Sequence, residues 1–159
     1  MKSPYLKPQR LPDVIAAITA LGTYKFYKLD VEKWADRITG SEENAAHWRT
    51  LFQEHPEFFR YASDRRKVSL VLRRQFPRNF NVDEEPEELP DHEVDGLTES
   101  RISRRPLAPA ELTELVGFAI RLHDRALEQQ KATTWWIPLA AAGLSFLGAL
   151  AGAYLGKHA

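Results

Sequence analysis

Residues 30–74, DVEKWADRITGSEENAAHWRTLFQEHPEFFRYASDRRKVSLVLRR, decide how this chain folds. Asp30 is a good N-cap for a helix carrying Val31, Trp34 and Ile38 on one face, and Gly40 breaks it. Ser41 then caps a second helix with Ala45, Trp48, Leu51 and Phe52 at helical spacing, stopped before Pro56. Glu57–Tyr61 and Val68–Arg74 read as two strands, and the polar run Ser63-Asp64-Arg65-Arg66-Lys67 between them reads as a hairpin tip. Working outward, the aromatic run Tyr24–Leu29 reads as a strand. Leu11-Pro12-Asp13 opens a helix whose Val14, Ile15, Ile18 and Leu21 share a face, with Gly22 ending it. Tyr24, Phe26, Trp34, Trp48, Phe52, Phe58, Phe59 and Leu70 form the expected core.

The order helix, strand, helix, short turn, helix, hairpin over residues 11–76 resembles the winged helix-turn-helix family. Asp30–Phe52 would supply the helix pair and Phe58–Arg74 the wing. A generic small α+β domain carries the same order. The expected fold class is therefore α+β: a winged-helix-like domain of three helices plus a β-hairpin wing over residues 1–80.

The resemblance implies DNA binding through the third helix, with its first residues toward the bases. Here that helix begins Ser41-Glu42-Glu43-Asn44, and Arg49 is its only basic residue. Carboxylates facing phosphates oppose DNA binding, while the same acids suit the positive end of a helix dipole. The sequence departs from the DNA-binding pattern at that helix. Positive charge sits instead on the hairpin, with Arg65, Arg66 and Lys67 at the tip and Arg73, Arg74 and Arg78 just beyond. Arg65, Arg66, Lys67, Arg73 and Arg74 are the candidate contacts to nucleic-acid phosphate, anionic headgroups or an acidic protein face; a solvated charged hairpin is the plainer reading.

The remaining chain is read in three pieces. Lys+Arg and Asp+Glu number 22 each, so the net charge is zero. That balance hides a segregation: residues 81–100 hold nine acidic side chains and no basic one, whereas residues 1–80 carry 15 basic against 9 acidic. Residues 81–106 are expected to be an acidic, proline-containing linker, extended or disordered, serving as a spacer or as a competitor for the basic wing. Arg101, Arg104 and Arg105 at its end read as a lipid- or partner-facing cluster. Residues 107–131 are an expected amphipathic juxtamembrane helix, with Leu112, Leu115, Ala119, Leu122 and Ala126 at a/d spacing. It has three possible seats: the N-terminal domain, a second copy of itself, or a partner. Residues 132–156 carry no charge; a transmembrane helix over 135–156 is expected there, flanked by aromatic residues, with a buried soluble helix as the competing reading. Gly148, Gly152 and Gly156 would line its helix-packing face. Arg121, Arg125 and Lys131 before the span and Lys157 after it imply a tail-anchored, single-pass protein with a cytoplasmic N-terminal domain, as in a bacterial inner membrane. An N-terminal signal peptide around Val14–Leu21 is the rival, interrupted by Pro12 and Asp13.

No cysteine is present, so disulfides and thiol catalysis are excluded. The five histidines form no metal-ligand spacing, and there is no P-loop, G-x-G-x-x-G or G-x-S-x-G. No catalytic, metal or cofactor residue is therefore expected. The expected function is a membrane-tethered, non-catalytic interaction module that holds a protein partner or a second copy of itself; the alternative is a membrane-bound nucleic-acid-binding regulator using the basic wing.

Overall fold

In the computed structural model, residues 3–83 and 101–134 are described. Helix α1 (Arg10–Thr23) carries Pro12 and Asp13 in its first turn and buries Val14, Ala17, Ile18 and Leu21. Gly22 lies inside this helix instead of ending it. Its reason is space: a Cβ there would come 3.1 Å from Leu107 Cδ1 and 3.2 Å from Leu112 Cδ1. Strand β1 is confined to Lys28–Asp30. Tyr24–Tyr27 do not join the ladder because their backbone is engaged elsewhere: the Tyr24 and Lys25 carbonyls accept from Arg73, and Tyr27 N–H donates to Ser103 Oγ at 3.0 Å.

Helix α2 (Val31–Thr39) starts after Asp30, which sits in extended backbone without a side-chain cap bond. It ends at Gly40, whose φ of +75° is the left-handed conformation that glycine adopts at least cost. Ser41 Oγ accepts from Glu43 N–H at 3.2 Å, capping a 3-10 turn (Glu42–Asn44) that leads into α3 (Ala45–Glu54). Strands β2 (Phe59–Tyr61) and β3 (Lys67–Leu70) are shorter than the sequence suggests. After Leu70 the chain leaves the ladder for a 3-10 turn (Leu72–Gln75), which swings Arg73 into the interior.

The sheet is antiparallel with order β1-β3-β2. Its inner face, with Phe59, Val68 and Leu70, closes over the helices. Trp34 is fully buried and donates from Nε1 to the Val68 carbonyl at 2.9 Å, tying α2 to the central strand. Phe26 is only half-buried and is not part of this core.

The ends of the acidic segment are pinned. β4 (Phe80–Asn81) pairs antiparallel with β5 (Ile102–Ser103), and Val82 N–H donates to the Arg101 carbonyl. Residues 84–100 lie outside the described residues. Leu107 N–H then donates to Gly22 O at 2.9 Å, which brings the chain onto α1 before α4 (Pro109–Thr134) begins. Of the three seats open to this helix, the observed one is the N-terminal domain, where Ala119 and Ala126 are buried with Leu107.

The membrane architecture is corrected. The expected span over 135–156, with Gly148, Gly152 and Gly156, lies outside the described residues. Among the described residues no helix is long and apolar enough to cross a membrane. Helix α4 has the length, at 26 residues, but carries Glu111, Glu114, Arg121, Asp124, Arg125, Glu128 and Lys131. This overturns the fold ending in a transmembrane helix, the tail-anchored layout and the single-pass localisation with a cytoplasmic domain. What is observed is an α+β arrangement of four α-helices and two small sheets among the described residues.

Candidate basic surface

Strand pleating sends alternate side chains to opposite faces. With Phe59, Tyr61, Val68, Leu70 and Leu29 turned inward, the outward set is Lys28, Asp30, Arg60, Lys67 and Ser69, with the one acid, Asp30, paired opposite Lys67 toward the hairpin tip. The register places Lys28 opposite Ser69 on one side and Arg60 opposite Ser69 on the other, so the two cations flank the central strand in one row. Ser69 between them is only 1% exposed, and Arg74, which follows the sheet, donates from Nη1 to its Oγ at 3.5 Å.

The row continues past β1. Tyr27 lies between Lys28, whose Nζ is 5.6 Å from the ring centre, and Arg104, whose guanidinium is 5.2 Å from it. Burial alone would raise the Tyr27 phenol, but the Lys28 and Arg104 charges hold it below its ordinary value. Lys25 Nζ sits 5.7 Å from the Phe26 ring and donates to the Val82 carbonyl. The result is a band of cations and rings running Lys25, Phe26, Arg104, Tyr27, Lys28, Arg74, Arg60. Four separate chain segments build it.

The sequence-derived candidates fall in three different places. Arg65 and Arg66 are exposed at the hairpin tip, where Arg65 has φ +54° and Asp64 Oδ1 accepts from the N–H of Arg66 and Lys67. Those backbone bonds hold the Asp64 carboxyl below its ordinary value. Arg66 Nε lies 4.0 Å from Asp30. Lys67 and Arg74 belong to the outer face.

Arg73 does not join them. Its side chain is fully buried, donating to five backbone carbonyls: Leu21 at 2.8 Å, Tyr24 at 2.7 Å, Lys25 at 3.5 Å, Arg104 at 2.5 Å and Arg105 at 3.0 Å. Burial, with the neighbouring Arg105 charge, pulls the guanidinium down to about 10, so it stays a cation at neutral pH. Arg73 is a clamp between the end of α1 and the segment entering α4. It has no surface to offer a ligand.

Lys28, Arg60, Tyr27 and Phe26 were not among those candidates. Sequence alone gives Arg60 as one charge in a strand and the aromatic run as core; only the pairing of β1 and β2 with β3 aligns them. Helix α3, by contrast, exposes Ala46, His47, Thr50 and Gln53. Its Arg49 is bound to Glu32 at 2.6 Å, and His47 meets Asp13 at 3.0 Å.

One further polar cluster lies in the interior. His55 is fully buried, with Nδ1 3.0 Å from Glu57 Oε1, to which the Tyr5 hydroxyl also donates. The Tyr5 ring meets the imidazole edge-on at 4.6 Å. Burial and the Glu57 charge raise the Tyr5 phenol far above its usual range. Burial would also raise Glu57, but the bonds from His55 and Tyr5 bring it below its ordinary value. The cluster fastens the N-terminal 3-10 turn (Pro4–Leu6) to the end of α3. Among the described residues, no group of three or more His, Asp or Glu could hold a metal ion.

No family model, no curated protein and no solved structure matches this chain.

Proposed function

We propose that the chain is a non-catalytic interaction module that holds an acidic segment of a protein partner on the outer face of its three-stranded sheet. One observation carries the reading: Lys28 and Arg60 stand in register across Ser69, with Arg74 on the same serine. Cations fixed by strand register are spaced for carboxylates along an extended chain, and complementary charge chiefly supplies encounter rate and partner choice. Helix α3 presents no such row.

A second reading, a nucleic-acid binder, is favoured by one specific feature. Tyr27 and Phe26 are interleaved with Lys25, Lys28 and Arg104, as in surfaces that stack bases beside a phosphate chain.

Titrating the full chain with a labelled Asp/Glu-rich peptide and, separately, with single-stranded and duplex DNA tests both readings. The expected result is saturable peptide binding that weakens with salt. Arg60→Ala together with Arg74→Ala should weaken it by about tenfold or more. Tighter binding to DNA than to the peptide, with a steep salt slope, would transfer the surface to the second reading. Binding of neither at low salt would remove both.

A further inference from the structure

We infer that α4 pairs antiparallel with α4 of a second copy of this chain, about a two-fold axis beside Phe118. Phe118 is 42% exposed although its ring meets Phe58 edge-on at 5.8 Å. It stands in an open groove lined by Leu72, Glu111, Glu114, Leu115 and Arg121. At 100° per residue, Glu114, Phe118, Arg121 and Arg125 fall on one flank of the helix, beside the buried stripe through Ala119 and Ala126. Glu114, Arg121 and Arg125 are all exposed. Ile120, the other exposed large apolar side chain, is on the opposite flank and takes no part.

The charges along this flank select the occupant. Glu114 precedes Phe118, and Arg121 and Arg125 follow it. Glu128, exposed farther along the same flank, falls opposite residue 108 under a two-fold axis at Phe118, before the helix begins. A two-fold axis at Phe118 sets residue 114 of one copy opposite residue 122 of the other, so each Glu114 comes beside the second copy's Arg121 and Arg125. A parallel pair would instead oppose Glu114 to Glu114 and Arg121 to Arg121, which is repulsive. Glu111 is already held by Arg105 in a two-pronged bond at 2.7 and 2.8 Å, so the complementarity rests on Glu114 with the two arginines. Self-complementary contact about a two-fold axis is the commonest way soluble chains associate. This pairing is independent of the basic sheet face.

The test is the association state of the full chain by sedimentation over a wide concentration range. The expected result is a reversible dimer. Glu114→Arg should raise its dissociation constant by about tenfold, Arg121→Glu likewise, and the two together in one chain should restore most of the association. Both positions are exposed, so the comparison does not depend on a variant that disturbs the Phe58 contact. Because the chain has no cysteine, the orientation can be read by oxidation. Glu114→Cys mixed with Arg121→Cys should cross-link far more than either alone, since like positions are separated by roughly 9–12 Å along the helix axis. A chain monomeric at all concentrations would overturn the pairing. So would a dimer indifferent to both reversals, or cross-links formed best between like positions.

Discussion

Replacing Arg73 by alanine leaves five backbone carbonyls at the α1–α4 junction without their donor. Buried acceptors stripped of their partners cost about 1–3 kcal/mol each before relaxation, so a net loss of roughly 3–5 kcal/mol is expected from urea unfolding of Arg73→Ala. Arg73→Lys should recover only a minor part, because an ammonium lacks the planar fork that reaches carbonyls on two segments at once. A change under about 0.5 kcal/mol, the ordinary size for a surface position, would return Arg73 to the surface cluster where sequence places it. At this scale the limit of sequence is visible in one pair of neighbours. Arg73 and Arg74 are identical letters in a run of basic residues. The 3-10 turn (Leu72–Gln75) sends the first into the core and leaves the second on the outside. Nothing in local periodicity distinguishes them, because the acceptors come from residues about 50 and 30 positions away.

Among the elements, α4 is the one whose seat can be tested most sharply. Gly22 gives it room: Gly22→Val forces branched carbons against Leu107 and Leu112, whose Cδ1 atoms already stand 3.1 and 3.2 Å from a modest Cβ. Overpacking of this kind costs about 1–3 kcal/mol, and hydrogen exchange over α4 should rise more than over α2. Uniform exchange would show that α4 is not docked there. The start of the helix carries its own pH signature. Glu111 takes a bond from Arg105 on each carboxylate oxygen, and its Oε2 also accepts from Ala108 N–H at 2.7 Å; the Arg105 bonds first, then that backbone bond, hold its carboxyl down at about 2 against an ordinary value near 4.5. The folded value is the lower one, so the contribution is present above about pH 4.5 and is lost as pH falls toward 2. With the side chain about 30% exposed, screening reduces it to roughly 1 kcal/mol. Glu111→Gln should therefore unfold with a flatter acid limb between pH 4.5 and 2. An unchanged limb would mean that the pair does nothing for stability. The helix itself, its apolar stripe and its proline start were legible in sequence. Its seat was not, because an amphipathic stripe fits a domain, a second copy or a partner equally well.

For the whole molecule, charge is sorted in sequence and re-sorted by the fold. The order of helices and strands through residue 70 was readable from apolar spacing, Gly40 and Pro56, whereas their bounds were not: β1, β2 and β3 are shorter than the sequence suggests and Gly22 lies inside α1. The basic band was not readable either. Strand register draws Lys28, Arg60 and Arg74 together from three places in the chain, whereas composition pointed to the hairpin tip. The uncharged stretch of residues 132–156 reads as a membrane span, yet among the described residues no helix is long and apolar enough to cross one. The central claim is that the partner is held by the sheet face and not by the hairpin tip. A side-by-side comparison of two charge reversals tests it most directly. Binding of the acidic peptide is measured for Lys28→Glu with Arg60→Glu and for Arg65→Glu with Arg66→Glu, each checked for an unchanged unfolding midpoint. Both pairs change net charge by the same amount, so long-range attraction falls equally. The expected result is loss of binding for the sheet-face pair and no more than a severalfold weakening for the tip pair. The reverse order, or equal losses, would contradict it.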